Sequence, residues 1–214
     1  MVSELLKKLE NKSITKEKFA EKIKQNFNIL PEIIEAMNSN KASVRYGCGK
    51  TLMDLSEEYP EKLYIYMDSF VKLLESKYRI ITWQTMFIIA NLTRVDTKKK
   101  FDDIFDKYYK FLNDEYMVTV ANVVGHSGKI AQAKPYLIPK ITEELLKIQN
   151  IKITPHLTEE CKKVITESAI VSFDTFFDKV KDKEKVLSFV KKHTGSSRKT
   201  LKNKAKEFLK KWND

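Results

Sequence analysis

The sequence predicts an all-α fold, a right-handed α-α superhelix (solenoid) of about five helix pairs and a closing helix. Apolar residues recur with the 3.6-residue period of a helix, as in Phe101–Leu112, and no window of similar length alternates with a period of two. Glycine and proline are scarce, with 5 of each in 214 residues, whereas sheet-rich folds need turn residues at short intervals. The apolar patterns also repeat along the chain, which indicates a stack of similar units.

The repeats define the unit of this fold. The pattern of residues 63–74 recurs at 101–112, and a further shift of 33 residues brings part of it onto 138–145. A second apolar pattern precedes each of the first two segments. It covers residues 44–55 and recurs at 81–92, a shift of 37 residues. The unit is therefore a helix pair of about 35 to 40 residues. One pair cannot bury its own apolar stripe, so the neighbouring pairs must cover it.

The residues of this unit resemble a known repeat family. Lys41–Leu52, with the sequence KASVRYGCGKTL, resembles the first helix of a HEAT repeat, in which a Val-Arg pair precedes small residues and a leucine. Tyr59–Glu61 and the helix after it resemble the turn and second helix, and Ser197–Ala205 is similar to a closing first helix. The clearest repeats cover residues 41–149, with degenerate pairs at 14–40 and 155–214, so we expect a single domain over 1–214. The resemblance to HEAT and armadillo proteins implies an architecture and carries no activity with it.

Five helix pairs and a closing helix follow from these patterns. Pro31, Pro60 and Pro135 each stand where a second helix would begin, a position that tolerates a residue without an N–H group. Residues 151–155 are expected to form a longer linker. The predicted helices are Lys16–Asn26 with Leu30–Met37, Ala42–Tyr59 with Glu61–Ser76, Arg79–Thr93 with Lys98–Leu112, Glu115–Ala131 with Tyr136–Lys147, Thr158–Phe177 with Lys183–Lys192, and the closing Ser197–Trp212.

The composition also bears on the compartment. No run of eighteen apolar residues occurs, so we expect no membrane span, and the charges at Glu4 and Lys7 argue against a signal peptide. Cys48 and Cys161 lie far apart and lack CxxC spacing, which indicates reduced thiols, with a disulfide as the alternative. We expect a cytoplasmic monomer without a cofactor.

Two glycine-containing segments invite a chemical interpretation. Gly47–Thr51 ends in Gly-Lys-Thr like a phosphate-binding loop, but that motif needs a glycine where Val44 stands and a strand leading into it. Small residues that let a neighbouring helix approach are the other interpretation. Gly125–Gly128 could bring a ligand close to His126, or it could place Ala121, Gly125 and Gly128 on one tightly packed face.

No catalytic or metal site is predicted. The remaining histidines, His156 and His193, stand alone in polar segments, and no His, Cys or carboxylate cluster has the spacing of metal ligands. No serine has an evident histidine and acid around it.

The predicted function is therefore a non-enzymatic interaction scaffold that binds a protein or peptide on a concave face formed by the second helices. Tyr64 and Tyr109 could anchor such a partner, with partly buried packing as the alternative. The candidate contact residues mix both signs of charge, which suits a protein surface. They are Tyr64, Asp68, Lys72, Asp103, Lys107, Lys110, Lys140 and Glu144.

The alternative function is nucleic-acid binding by the basic C-terminal end. From Lys181 onward 12 Lys and Arg stand against 4 Asp and Glu, which is a surplus of 8 in a total of +11. Such clusters attract phosphate backbones or acidic proteins, but a solvated cap at the end of a repeat stack also explains them. Some HEAT-like proteins are glycosylases for alkylated DNA bases, and no motif of those enzymes is identified here. The candidate residues are Lys191, Lys192, Arg198, Lys199, Lys202, Lys206 and Lys210.

Overall fold

The computed structural model describes residues 2–212, and this part of the chain is all-α as predicted. It contains fourteen α-helices joined by short 3₁₀ turns and no strand, with one isolated β-bridge between Thr154 and Leu157. The helices are α1 (Val2–Glu10), α2 (Lys16–Gln25), α3 (Leu30–Glu35), α4 (Ala42–Glu58), α5 (Pro60–Tyr64), α6 (Met67–Leu73), α7 (Arg79–Leu92), α8 (Lys100–Asp103), α9 (Phe105–Tyr109), α10 (Met117–Ala133), α11 (Ile138–Leu146), α12 (Glu159–Asp174), α13 (Lys183–Lys191) and α14 (Lys199–Trp212).

The predicted first helices agree with the structure within a few residues. They correspond to α2, α4, α7, α10 and α12, and the closing helix corresponds to α14. Their caps explain some of the bounds: Thr15 and Thr158 cap α2 and α12 by accepting the N–H of Lys18 and Cys161 through their side chains. α5 begins at Pro60, as predicted for a residue without an N–H.

Two predicted second helices are interrupted. The predicted Glu61–Ser76 is divided into α5 and α6, and the predicted Lys98–Leu112 into α8, α9 and the 3₁₀ turn Lys110–Asn113. The backbone leaves the helical region at Tyr66 (φ −100°, ψ 15°) and at Ile104 (φ −106°, ψ 5°). At both positions the N–H donates to the carbonyl three residues earlier, which tightens the turn. Neither break contains glycine or proline, so the local sequence does not mark it.

α1 precedes the first predicted pair and was not predicted. It packs on α4, where a Cβ added at Gly47 would lie 2.6 Å from Cδ2 of Leu9. A Cβ at Gly49 would overlap the side-chain amide of Gln84 on α7. Gly47–Thr51 lies inside α4, so the interpretation as a close-packing segment is confirmed and the phosphate-loop interpretation is wrong.

The chain divides into two compact units between Ile104 and Phe105. In the first unit α4 packs on α7, over a core that includes Phe19, Phe70 and Phe101. In the second unit α12 packs on both α10 and α14. Consecutive pairs thus cover each other within each unit, and the prediction of one domain over the whole chain stays a prediction. None of the described helices is both long and apolar enough to cross a bilayer.

Candidate functional site

Tyr64 and Asp68, two of the predicted contact residues of the first unit, form polar contacts within the protein. The Tyr64 hydroxyl donates to Oδ1 of Asp96 at 2.6 Å, and it accepts the N–H of Lys98 at 3.2 Å. Asp68 forms an ion pair with Lys100 at 2.7 Å. These contacts join the second helix of one pair to the start of the next second helix. Tyr64 and Asp68 therefore hold neighbouring repeats together.

The other two predicted residues of the first unit remain at the surface. Lys72 on α6 and Asp103 on α8 are both exposed, and neither forms an ion pair with another residue of the described range 2–212. No contact brings Lys72 and Asp103 together, so these two residues do not form a site with each other.

The second unit contains a groove that two predicted residues share. Lys110 and Glu144 line it, on a 3₁₀ turn and on α11 respectively. Its three walls are residues 106–115, residues 144–150 and the linker 151–154, and its volume is about 630 Å³. That volume is typical of a ligand cleft. The other two predicted residues of this unit lie elsewhere: Lys107 is half-buried on α9, and the Lys140 Nζ stands 5.7 Å from the ring centre of Phe105.

The lining of the groove includes apolar side chains that are fixed by packing. Leu112 and Ile148 are buried, and Ile151 is half-buried. Tyr109 is also buried, and its hydroxyl donates to Oγ of Ser127 on α10 at 3.0 Å. Burial raises the pKa of Tyr109 well above its usual value, which keeps the phenol neutral. Tyr109 therefore packs within this unit, as the alternative interpretation proposed.

The linker forms a wall because polar contacts hold it on the start of α10. The Thr154 Oγ1 donates to the carbonyl of Glu115 at 2.7 Å, and the N–H of Met117 donates to the carbonyl of His156 at 3.3 Å. The rings of Tyr116 and His156 stack at 4.2 Å with an interplanar angle of 8°. Residues 151–155 were expected only as a linker, and no local motif marks the place of 151–154 in the groove.

The rim of the groove carries charges of both signs. Glu144 is paired with Lys147 at 2.6 Å on the same wall. Asp106, Lys110 and Lys152 are exposed, and within residues 2–212 none of the three forms an ion pair. The described residues contain no group of His, Cys, Asp or Glu arranged to hold a metal ion. The groove thus combines an apolar lining with charges of both signs that form no ion pair within the described range.

The Gly125–Gly128 segment lies in α10 and differs from its prediction in one respect. Gly128 packs against α12, where a Cβ would stand 2.7 Å from Oγ1 of Thr175. Gly125 is exposed and has no neighbour within 4 Å of an added Cβ, so its assignment to the tight face was wrong. Burial lowers the pKa of His126 to about 4, so the ring is neutral near pH 7, with Nε2 3.2 Å from Oδ1 of Asn122.

Some residues of the predicted basic patch form polar contacts within the protein, and others do not. Arg198 is held by Glu160 at 3.0 Å and by Glu167 at 3.1 Å, and Lys192 donates to Gln149 at 3.2 Å. Lys191 is exposed at the end of α13. The other predicted lysines belong to α14, namely Lys199, Lys202, Lys206 and Lys210.

A comparison with solved structures identifies the architecture. The chain is similar to a designed armadillo repeat protein, YIII(Dq)4CqI, with a TM-score of 0.63 and 18% sequence identity over 96% of this chain and 90% of that chain. The likeness confirms the predicted α-solenoid of HEAT/armadillo-like helix pairs. No protein-family model matches the sequence, and no curated protein matches it significantly.

Proposed function

We propose that the chain is a non-enzymatic interaction scaffold that binds an extended segment of a partner protein in the groove of the second unit. The observation that carries this proposal is the composition of the groove: apolar side chains in its lining, among them the half-buried Ile151, and unpaired charges of both signs at its rim. Apolar anchors with a polar rim are typical of protein interfaces. The armadillo-like fold supports the proposal by analogy only.

The charges favour a peptide over a phosphate polymer at this site. A phosphate track needs an uninterrupted positive surface, whereas Asp106 and Glu144 place carboxylates beside Lys110 and Lys152. A peptide that carries both a basic and an acidic side chain would complement this rim. The fixed linker contacts keep the groove pre-formed, which lowers the entropic cost of binding.

Selection from a random 12-residue peptide library displayed on phage tests the proposal. Selected peptides are synthesised with a fluorophore, and their dissociation constants are measured by fluorescence polarisation. We expect Ile151→Asp and Lys110→Glu each to weaken binding at least about tenfold, because they alter the lining and rim of the groove.

Lys181→Glu is the matched control, since it reverses an exposed lysine of the same unit outside the groove. Its affinity for the selected peptides should equal that of the wild type. If the library yields no binder, or if all three variants bind the peptides equally, the groove is not the binding site.

We also propose a cytoplasmic monomer. Cys48 and Cys161 are both free thiols in the structure, which suits a reducing compartment. Sedimentation equilibrium at several concentrations tests the monomer: a mass near 25.1 kDa at each concentration supports it, and a larger mass contradicts it.

A further inference from the structure

The lysines of α14 fall into two groups with different surroundings. On the flank that faces α12, Lys211 pairs with Asp174 at 2.9 Å, and Lys204 pairs with Glu207 on its own helix at 2.9 Å. A second group consists of Lys199, Lys206 and Lys210, all of them exposed. None of these three forms an ion pair with a carboxylate of the described residues.

The second group forms a straight stripe opposite the buried face of the helix. Lys199, Asn203, Lys206 and Lys210 follow the spacing i, i+4, i+7, i+11, which places them on one side. The inward residues Leu201, Ala205, Phe208 and Trp212 have the same spacing two positions later, a rotation of about 200°. The stripe therefore faces away from the core.

The dimensions of this lysine stripe fit a nucleic-acid strand. At a rise of 1.5 Å per residue, Lys199 and Lys210 are separated by about 16 Å along the helix axis. Each strand of a duplex carries one charge per about 3.4 Å of its axis and winds around that axis, so a straight stripe of this length can face a few neighbouring phosphates. Lys202 lies at the edge of the stripe and is half-buried.

We infer that the lysine stripe binds the phosphate backbone of duplex nucleic acid, without reading its bases. This surface is separate from the groove of the second unit, so it adds a second partner of a different chemical class. Lysine ammonium groups contact phosphate oxygens as point charges, and Asn203 can donate its amide N–H to another. Such contacts position a protein on a duplex and carry no sequence information.

The surroundings of the stripe disfavour other partners. Leu201, Ala205 and Phe208 are buried, so α14 has no apolar face to insert into a membrane. Trp212 packs on Phe177 and donates its indole N–H to Asp174 at 2.6 Å, so this ring is not a free platform for stacking single-stranded bases. The stripe also lacks the apolar or aromatic anchor that a protein hot spot requires.

Fluorescence anisotropy with labelled 20-base-pair DNA and RNA duplexes tests this inference, between 50 and 200 mM salt. Because each phosphate contact contributes about −0.9 to the slope of log K against log salt, we expect a slope of about −3. The double variant Lys206→Gln/Lys210→Gln should reduce the magnitude of the slope by about 2 and weaken binding at least tenfold at 50 mM salt. Binding to either duplex supports the inference.

The matched control is Lys204→Gln/Lys211→Gln, which removes the same charge from the paired flank of the same helix. We expect its slope and affinity to stay close to those of the wild type, because these two lysines are already paired. Circular dichroism confirms that both double variants remain helical. The inference is overturned by equal losses in the two variants, by absence of duplex binding at 50 mM salt, or by tighter binding to single strands or to phosphatidylserine vesicles.

Discussion

The two glycines of α10 should respond in opposite ways to the same substitution. Gly125 is exposed and an added Cβ meets nothing within 4 Å, whereas a Cβ at Gly128 would stand 2.7 Å from Oγ1 of Thr175 and 3.5 Å from the carbonyl of Ser172. Alanine replaces glycine in a helix interior with a gain of about 1 kcal/mol. Gly125→Ala should therefore raise the free energy of unfolding by about that amount.

At Gly128 the same gain is offset by overpacking. Inserting a methyl group into a closely packed contact typically costs about 1 to 3 kcal/mol. The Thr175 side chain is β-branched, and its hydroxyl donates to the carbonyl of Ser172 at 2.8 Å, so it cannot turn away freely. Gly128→Ala should lower the free energy of unfolding by about 1 kcal/mol. The difference between the two variants, about 2 kcal/mol, isolates the contact because the helix-propensity gain is common to both.

Thermal unfolding followed by circular dichroism measures this difference. For a protein of 150 to 250 residues, 1 kcal/mol corresponds to about 2 to 4 °C, so Gly125→Ala should raise Tm by about 3 °C and Gly128→Ala should lower it by about 3 °C. Adding Thr175→Ala to Gly128→Ala should recover part of the loss, because it removes the opposing side chain. Equal shifts of Tm in the two single variants would refute the close approach of α10 and α12.

Three further predictions concern single side chains. Asp96 accepts hydrogen bonds from the Tyr64 hydroxyl and from two backbone N–H groups at the start of α8. Asp96→Ala should therefore lower the free energy of unfolding, measured by urea denaturation, by about 2 to 4 kcal/mol. A loss below about 0.5 kcal/mol would contradict this role. His126 is neutral when folded, with a pKa lowered to about 4, so stability is fully present above pH 6.5 and declines by up to about 3 kcal/mol as the pH falls to about 4. His126→Asn should remove that component of the pH dependence, and an unchanged profile would exclude His126 as its source. Burial raises the pKa of Cys48 to about 12, so Ellman's reagent at pH 8 should label only the half-buried Cys161 in the native protein and both thiols in denaturant.

The fold could be predicted from the sequence where apolar periodicity sets the structure. α4 and α14 each bury one stripe, whereas α7 is buried on most of its sides, and the bounds of all three were predicted within about two residues. The breaks at Tyr66 and Ile104 could not be predicted, because an apolar stripe continues through them and neither contains glycine or proline. α1 was missed because it is only nine residues long and is held on α4 by a contact between Leu9 and Gly47, which are far apart in the sequence.

The groove could be predicted only in part. Lys110 and Glu144 were candidates because they lie on second helices, and the structure places both at the same groove. The linker wall depends on the hydrogen bond from Thr154 to Glu115, which are 39 residues apart, and no local pattern indicates such a contact. Tyr64 and Asp68 had the residue types of interface side chains, but residue type does not show that a side chain already has a partner within its own chain.

The long-range polar contacts explain which side chains are left for partners. Many join residues about one repeat apart: Asn91 donates to Ser56 over 35 residues, Tyr64 to Asp96 over 32, and Trp212 to Asp174 over 38. These separations are close to the length of one helix pair, so successive repeats are joined by polar as well as apolar contacts. Such a contact fixes the register of neighbouring pairs, and it engages two side chains within the chain. Charges without this internal match remain available to a partner, a property that Asp106, Lys110 and Lys152 at the groove share with the lysine stripe of α14.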